Sequence, residues 1–443
     1  NGEDYFYQPI PSFPDILYIA KRTNSEVYRL RRGSDNSIFA LKVFTSEDNR
    51  EERFVSSTEK LAQFNTLPGL EEITNRICLT QVNNKWLIEK NPVLQYSILM
   101  PWISGELWKE IVEGKKGLDY QTSFRISQKL AIILATLEVN EIAHCDISGD
   151  NLMIDINNEK LQLIDLEDIF ATGFERPKKL SQGKPGYQHP SVITTHQWCS
   201  EGDRFAGAIL ISEILCWHNP RFIHESAKEQ YFTESDILEG DSPRLRLMLE
   251  VLQESHQNVK PLFLEAWHSK TLKDCPPLVE WAKCLGATLF ADPLKVIQIQ
   301  WRHAIYTQQF AKIPKLADEI TSLGHKITDD QKRDVDKANA ILLTMEIIEK
   351  AIRSKIDIAI LIAFDKELLA PVLTKDVLEE IRKAKKRVEI MPVLARASKQ
   401  NNDRLLCRMY DTNLFGDSNS FDQDQISRIQ LALRRQYQVG IFR

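Results

Sequence analysis

Residues 144–151 read His-Cys-Asp-Ile-Ser-Gly-Asp-Asn, and residues 163–167, after a short apolar segment, read Leu-Ile-Asp-Leu-Glu. The oxygen-bearing side chains of Asp146, Asn151 and Asp165 lie at short spacing in these two stretches. Such oxygens hold Mg²⁺ and orient an attacking hydroxyl in phosphoryl transfer, a reaction that needs positioning and charge more than covalent chemistry. The spacing therefore predicts a phosphoryl-transfer site, which also needs a cation for the phosphates.

Residues 37–44, Ser-Ile-Phe-Ala-Leu-Lys-Val-Phe, supply that cation. Lys42 lies inside an otherwise apolar run that predicts a strand. An ammonium group buried there without a partner would be costly, so the sequence predicts an anionic partner for Lys42.

Two further motifs lie beyond these stretches: Gly-Lys-Pro-Gly-Tyr-Gln-His-Pro at 183–190, and Asp-Arg-Phe-Ala-Gly at 203–207 before an apolar helix. In order and spacing, the five motifs resemble the eukaryotic-like (bacterial Ser/Thr-type) protein kinase family over roughly residues 15–288. The resemblance implies an α+β, bilobal protein-kinase-like fold, with a β-rich N-lobe over about 1–102 and a helical C-lobe over about 103–288.

The same resemblance implies roles for individual residues. Lys42 would bind the α- and β-phosphates of ATP, and Asp146 would orient the acceptor hydroxyl. Asn151 and Asp165 would hold Mg²⁺.

An adenine pocket is implied as well. Residues 98–105 resemble the strand and hinge that contact the base. Pro101 has no N–H, so the hinge hydrogen bond is expected from the neighbouring backbone at Ile103. The side chains expected around the adenine are those of Val27, Ala40, Met100, Trp102, Ile103 and Met153.

The phosphate-covering loop departs from the family pattern, because Ala20, Arg22 and Ser25 stand where the family has glycines. Without glycine, close approach of backbone N–H groups to phosphates is not expected. Lys21 and Arg22 could contact the phosphates directly, or could form a solvated basic turn.

The helix after Lys42 should carry a glutamate that pairs with this lysine. Glu59 is the candidate, although alignment of the helix on Leu61 puts Ser57 at this position instead. Glu59 could equally be a plain exposed carboxylate.

A cation and a hydroxyl have exchanged places near Asp146. Ser148 stands where Ser/Thr kinases have a lysine, and Lys184 stands where they have a threonine. The exchange would keep one positive charge and one hydroxyl beside the transferring phosphoryl group, so Ser148 and Lys184 join Asp146 and Lys42 as catalytic candidates. The alternative for Lys184 is an exposed loop lysine. Cys145 replaces the arginine that receives an activation-loop phosphate, which argues against activation by loop phosphorylation.

A buried ion pair of the family is missing at both ends, because Ser191 and Cys275 replace its glutamate and arginine. Loss of one partner would leave an uncompensated buried charge, whereas loss of both can be nearly neutral. The paired change indicates coordinated replacement.

Composition excludes several classes of protein. With 443 residues, 43% of them hydrophobic, the chain can bury a full core. A net charge of −5 predicts no nucleic-acid surface, and no apolar run is long enough to predict a membrane segment. Seven cysteines without a Cys-x-x-Cys pair predict reduced thiols and a cytoplasmic location. Because residue 1 is Asn, we expect the native chain to extend further at this end.

The region 293–443, after a predicted boundary at Asp292-Pro293, is helical and repetitive. Self-similarity at a period of 46 residues predicts an all-α domain of stacked helical hairpins. Such a domain usually binds protein, but it could be a structural appendage. The aspartate that begins each second helix is predicted to be an N-cap. The pattern Ala351, Asp357, Phe364, Leu368 recurs 46 positions later at Ala397, Asp403, Tyr410, Leu414. A third, partial copy at Ile429, Ala432, Arg435 matches Ile381, Ala384, Arg387.

The favoured function is an ATP- and Mg²⁺-dependent protein kinase that modifies a protein hydroxyl, Ser/Thr rather than Tyr, and whose repeats recruit a partner or substrate. A pseudokinase scaffold is one alternative. A small-molecule phosphotransferase of the aminoglycoside or choline kinase type is another, since it shares the His-x-Asp and Ile-Asp-x-Glu patterns.

Overall fold

The computed structural model describes residues 3–10, 12–22, 24–181, 183–195, 197–289, 291–370, 372–415, 427–432 and 434–435. The predicted domain ends at residues 1 and 443 lie outside these residues. The chain divides into two compact units, residues 1–303 and residues 304–443.

The strands among the residues that the structure describes all belong to the first unit. They are β1 (Tyr5–Tyr7), β2 (Pro9–Ile10), β3 (Phe13–Leu17), β4 (Ile19–Lys21), β5 (Ser25–Arg32), β6 (Ile38–Phe44), β7 (Ile77–Cys78), β8 (Ile98–Pro101), β9 (Glu106–Leu107), β10 (Leu152–Asp155) and β11 (Lys160–Leu163).

One antiparallel sheet organises the N-terminal part, in the order β1-β5-β6-β8-β7 with β4 also paired to β5. Two smaller sheets have the orders β11-β10-β9 and β2-β3. Strand β6 is central, which explains its continuous apolar sequence, since residues 40–44 are all buried. Lys42 lies in this buried run, opposite Val27 on β5 and Ile98 on β8.

Helices form most of the rest of the first unit. They are α1 (Arg53–Leu61), α2 (Gln81–Lys90), α3 (Trp108–Glu113), α4 (Tyr120–Val139), α5 (Pro190–Thr195), α6 (Arg204–Cys216), α7 (Pro220–Glu225), α8 (Glu234–Glu239), α9 (Pro243–Ser255), α10 (Val259–Trp267), α11 (Leu278–Cys284) and α12 (Pro293–Tyr306).

Helix α6 is the centre of the helical part, and it packs against α4, α9, α10 and α11. It is mostly apolar and is buried on every side, as expected for a helix at the centre of a core. Trp217, Trp267 and Trp281 are buried in this helical part. The predicted α+β fold, with a β-rich N-terminal part and a helical C-terminal part, is therefore confirmed.

Helix α12 lies mostly in the first unit, although the sequence-based boundary assigned it to the second. Its residues Val296 and Ile299 belong to the same hydrophobic core as α4 and α6. Pro293 begins the helix rather than a linker, and proline is well suited to a helix start because its missing N–H would have no helical partner there.

The second unit is helical. Its helices are α13 (Ile313–Ser322), α14 (Asp329–Arg353), α15 (Asp357–Ala363), α16 (Lys366–Leu369), α17 (Lys375–Lys399), α18 (Asp403–Met409) and α19 (Thr412–Phe415). Helices α17, α18 and α19 repeat α14, α15 and α16 in length, each 46 residues later. Thr328 and Thr374, also 46 residues apart, both cap the long helix that follows. Residues 427–432 are again helical.

The aspartates of the repeat bind the next helix as well as beginning their own. Asp357 pairs with the buried Arg387 of α17, with Nη2 and Oδ1 2.7 Å apart. Asp403 pairs likewise with Arg428 and Arg435. The prediction that these aspartates are N-caps is wrong, because Ile356 and Asn402 occupy the N-cap positions of α15 and α18 and each aspartate is the first helical residue. The aspartate carboxylates tie successive hairpins together instead. No helix among the described residues has the length and apolar character needed to cross a membrane.

Candidate functional site

A cavity of about 290 Å³ lies in the first unit beside the central sheet. The residues predicted around the nucleotide lie together in its wall, together with Asp165. Those in the wall are Val27, Ala40, Lys42, Met100, Trp102, Ile103 and Met153. Strand register explains part of this arrangement, because Ala40 and Met100 are paired on β6 and β8.

The hinge follows β8 directly. The Trp102 N–H already donates to the Ile38 carbonyl, at 3.1 Å, and Pro101 has no N–H. Ile103 is therefore the hinge residue proposed to donate to an adenine. The Trp102 ring packs edge-on against Tyr18, 5.1 Å between ring centroids, which closes the outer side of the cavity.

The loop that carries Asp146 is held from behind by Asp203, the residue before α6. Its Oδ2 accepts from the His144 N–H at 2.6 Å, and its Oδ1 accepts from the Cys145 N–H at 2.8 Å. Cys145 has a φ of 64°, a left-handed conformation that is unfavourable for a residue with a Cβ. The two hydrogen bonds from Asp203 support this strained backbone. Asp203, the first residue of the 203–207 motif, thus stabilises the backbone of the loop that carries Asp146.

Asp146 has two hydrogen-bonding neighbours that fix its carboxylate. Asn151 Nδ2 donates to Asp146 Oδ2 at 3.0 Å and to the Asp146 carbonyl at 2.7 Å. Ser181 Oγ donates to Asp146 Oδ1 at 3.0 Å. Burial, together with the carboxylates of Asp165 and Asp168, raises the pKa of Asp146 to about 7. A carboxylate in this range suits proton transfer near neutral pH.

Asp165 and Asn151 are the proposed Mg²⁺ ligands. Asn151 uses its amide nitrogen for Asp146, which leaves its oxygen for a cation. Asp165 has a φ of 65°, a strained conformation of the kind found at functional sites. Among the described residues, no three His, Cys, Asp or Glu side chains form a metal site by themselves. One carboxylate and one amide oxygen suit Mg²⁺ that is also bound by phosphate oxygens.

Lys42 contacts two carboxylates, neither of them Glu59. Its Nζ lies 2.5 Å from Asp165 Oδ1 and 2.8 Å from Glu167 Oε2. Burial lowers the pKa of Lys42, but these two carboxylates outweigh it and keep the pKa above its ordinary value. Glu59 is exposed on α1, while Ser57 is buried on the same helix. The prediction that Glu59 pairs with Lys42 is corrected accordingly: the register of α1 turns Glu59 to solvent.

The predicted exchange of Ser148 and Lys184 takes a different form in the structure. Ser148 Oγ accepts from the Asp150 N–H at 3.3 Å within the loop, and the hydroxyl on Asp146 belongs to Ser181. Lys184 Nζ contacts Asp150 at 2.5 Å and Glu229 at 3.0 Å. Lys184 is thus partly buried, not a solvated loop lysine, but its partner is Asp150.

Two more cations meet Asp150. Lys109 on α3 lies 2.5 Å from Oδ1, and Arg22 in the glycine-free turn lies 3.4 Å from Oδ1. Lys109 and Arg22 also line the cavity. Arg22 is therefore part of the site rather than a solvated turn residue. Lys21 also lines the cavity, but its side chain is largely exposed beside Glu26.

A neutral chain of hydrogen bonds replaces the missing buried ion pair. His189 Nδ1 and Ser191 Oγ are 2.7 Å apart, and His189 Nε2 lies 3.1 Å from Ser269 Oγ. Ser269 Oγ lies 3.0 Å from the buried Cys275 Sγ. The two ends of the lost pair therefore remain connected without a buried charge.

Sequence reasoning gave no role in the site to Glu167, Ser181, Lys109 or Asp150. A sequence pattern could have indicated a role for Glu167, because this residue completes the Ile-Asp-x-Glu pattern two positions after Asp165. No sequence pattern indicates Ser181 or Lys109, since only tertiary structure brings them to the loop.

Sequence comparisons with known proteins match the first unit of the chain to one family. Residues 21–273, more than half of the chain, match the family model "Protein kinase domain". The chain is 21% identical over 218 residues to "Probable serine/threonine-protein kinase 2" of Plasmodium falciparum, covering 48% of this chain and 40% of the relative. It is 29% identical over 153 residues to "Serine/threonine-protein kinase 33" of Bos taurus, covering 32% and 31%. The chain spans less than half the length of these relatives.

Proposed function

This chain belongs to the protein kinase family, as the sequence predicted, and we propose that it transfers the γ-phosphoryl group of ATP to a protein hydroxyl with the help of Mg²⁺. One observation carries the proposal: Lys42, Asp146, Asn151 and Asp165 converge beside a cavity lined by the predicted adenine contacts. Bound Mg²⁺ would neutralise the phosphate oxygens during transfer.

The protein residues supply position and charge. Lys42 presents a fixed, buried ammonium group to the α- and β-phosphates. Asp146 accepts the proton of the acceptor hydroxyl, and its orientation is held by Asn151 and Ser181. Because these groups are hydrogen-bonded before any substrate arrives, little reorganisation is needed at the moment of transfer.

A Ser/Thr acceptor is favoured over Tyr. Two of the relatives are named serine/threonine-protein kinases. Ser181 contributes the hydroxyl that the Ser/Thr kinase pattern places beside the catalytic aspartate, three positions before Lys184.

The C-terminal repeats are proposed to recruit a protein partner or substrate. Their aspartate–arginine ties fix successive hairpins in a regular stack, and such stacks present extended surfaces. A cytoplasmic location is supported by the cysteines, all seven of which are free thiols.

A pseudokinase scaffold is the second candidate, favoured by the glycine-free turn whose Arg22 contacts Asp150. Calorimetric titration with ATP, with and without Mg²⁺, separates the two when it is combined with transfer to a Ser/Thr-rich protein acceptor. We expect Mg²⁺-dependent binding and phosphoserine or phosphothreonine in the acceptor. In Asp165→Asn, the Mg²⁺ dependence of binding should disappear. Nucleotide binding without any transfer would favour the scaffold.

A further inference from the structure

We propose that Glu167 and Arg76 position Lys42 for phosphate binding, in place of the glutamate expected on helix α1. This inference rests on the function proposed above, in which Asp165 binds Mg²⁺. Lys42 would then need another carboxylate to hold its ammonium group toward the phosphates. Glu167 is the second carboxylate on Lys42, and it does not share the metal-binding assignment of Asp165.

The Glu167 carboxylate joins two cations through its two oxygens. Oε2 accepts from Lys42 Nζ at 2.8 Å, and Oε1 accepts from Arg76 Nη1 at 3.2 Å. All three side chains are largely buried, with 10% of Glu167, 7% of Lys42 and 1% of Arg76 exposed. A carboxylate held at both oxygens has a fixed orientation, so the lysine bonded to it is fixed too.

Two buried arginines, Arg76 and Arg53, fix the position of Glu167. Arg76 Nε donates to the Ile73 carbonyl at 2.9 Å, which anchors the guanidinium. Arg53, the first residue of α1, donates to the Glu167 carbonyl at 2.7 Å and is itself paired with Glu51. Helix α1 is therefore hydrogen-bonded to the backbone of Glu167 through Arg53, and its glutamate, Glu59, does not contact Lys42.

Charge balance supports the same assignment. Two cations, Lys42 and Arg76, face two carboxylates, Asp165 and Glu167. Removal of Glu167 would leave the buried Arg76 without its carboxylate partner and would leave Lys42 with Asp165 alone, the residue proposed to bind Mg²⁺. No acidic residue of α1 can substitute, because Glu59 is its only one and is exposed.

The test compares Glu167→Gln, Arg76→Met and the matched control Glu59→Gln in the full chain. Steady-state kinetics at saturating Mg²⁺ give KM for ATP and kcat, and calorimetry gives the ATP dissociation constant without any need for transfer. We expect Glu167→Gln to lower kcat/KM for ATP by about 10- to 100-fold. Arg76→Met should also lower kcat/KM for ATP. Glu59→Gln should leave KM for ATP and kcat unchanged. Glu167→Asp, which keeps the charge, should recover part of the loss.

Several results would overturn the proposal. If Glu167→Gln raises the Mg²⁺ concentration needed for half-maximal activity but leaves KM for ATP unchanged at saturating Mg²⁺, Glu167 is a metal ligand and not the anchor of Lys42. An effect of Glu59→Gln equal to that of Glu167→Gln would restore the helix glutamate. Far-UV circular dichroism and the melting temperature identify a variant that has merely unfolded, and Glu167→Asp then carries the test. An inactive wild type counts against the proposed function instead, and the ATP dissociation constants still decide the role of Glu167.

Discussion

At Asp150, basic side chains from three separate parts of the first unit meet one carboxylate. Arg22 comes from the turn after β4, Lys109 from α3 and Lys184 from the segment before α5. Burial alone would raise the pKa of Asp150, but its hydrogen bonds from Lys109 and Lys184 lower it below the ordinary value. Asp150 thus stays ionised and keeps positive charge beside the catalytic loop, where charge develops during transfer.

Lys184 and Lys109 allow a matched comparison of these cations. We expect Lys184→Met to lower kcat by about 10²-fold with little change in ATP affinity, because its charge acts mainly on the transition state. Lys109→Met removes the other lysine on Asp150 and should have the smaller effect on kcat. Equal, small effects of the two substitutions would show that Lys184 only neutralises Asp150.

Single residues also show how far the sequence could predict the site. The residues predicted to face the adenine, and Lys42, could be selected from the sequence because each lies in a short motif on a strand or directly after one. Strand register brings several of them together. The partner of Lys42 could not be selected in this way, because it depends on the rotation of α1 and on Arg76, which lies far away in sequence. Ser181 was missed for the same reason, since its hydroxyl meets Asp146 only through the tertiary path of its segment.

At the scale of elements, α6 connects the parts of the site through Glu213. This fully buried carboxylate accepts from Trp108 Nε1 at 2.9 Å and from the Tyr187 hydroxyl at 2.8 Å. Trp108 begins α3, and Tyr187 lies three residues after Lys184. Helix α6 therefore holds the two segments that carry Lys109 and Lys184.

Glu213 gives a prediction for stability against pH. Burial raises its pKa from the ordinary value of 4.5 to about 7, so the folded protein keeps a proton that the unfolded chain releases. The contribution of Glu213 to the free energy of unfolding is fully present below about pH 4.5, and it is lost as the pH rises through about 7. Glu213→Gln removes this titration, so its free energy of unfolding should gain on the wild type by up to about 3 kcal/mol between about pH 5 and pH 8.

Urea unfolding at several pH values in this range measures the difference. The amide can serve both neighbours, since the Tyr187 hydroxyl can accept as well as donate. Glu59→Gln, on the exposed face of α1, controls for loss of a negative charge. Parallel pH profiles for wild type and Glu213→Gln would contradict the prediction.

For the whole molecule, the division into two units could be predicted only approximately. The 46-residue repeat was visible because the same apolar spacing and the same aspartate recur, and α14–α16 reappear as α17–α19. The boundary was placed too early, because proline marks both linkers and helix starts, and Val296 and Ile299 of α12 could not be assigned to a core from spacing alone.

Two truncations test this boundary. A fragment that ends at Tyr306 keeps α12 and should remain soluble and bind ATP. A fragment that ends at Asp292 loses Val296 and Ile299 from the core, each worth about 1.5–3 kcal/mol, and should melt at a lower temperature or aggregate. Thermal melting with and without ATP compares them. Equal stability of the two fragments would show that α12 is not part of the catalytic unit.

The central claim is that Asp146 and the groups around it carry out phosphoryl transfer. Single-turnover rapid-quench kinetics, with enzyme in excess over γ-labelled ATP and with Mg²⁺ and a Ser/Thr-rich protein acceptor, measure that step directly in the wild type and in Asp146→Asn. The substitution keeps the shape of the side chain but removes the proton acceptor. We predict transfer by the wild type and a rate lower by about 10²- to 10⁴-fold in Asp146→Asn, with the same ATP affinity in both. A wild type that binds ATP without transferring phosphate, or an Asp146→Asn variant as fast as the wild type, would contradict the claim.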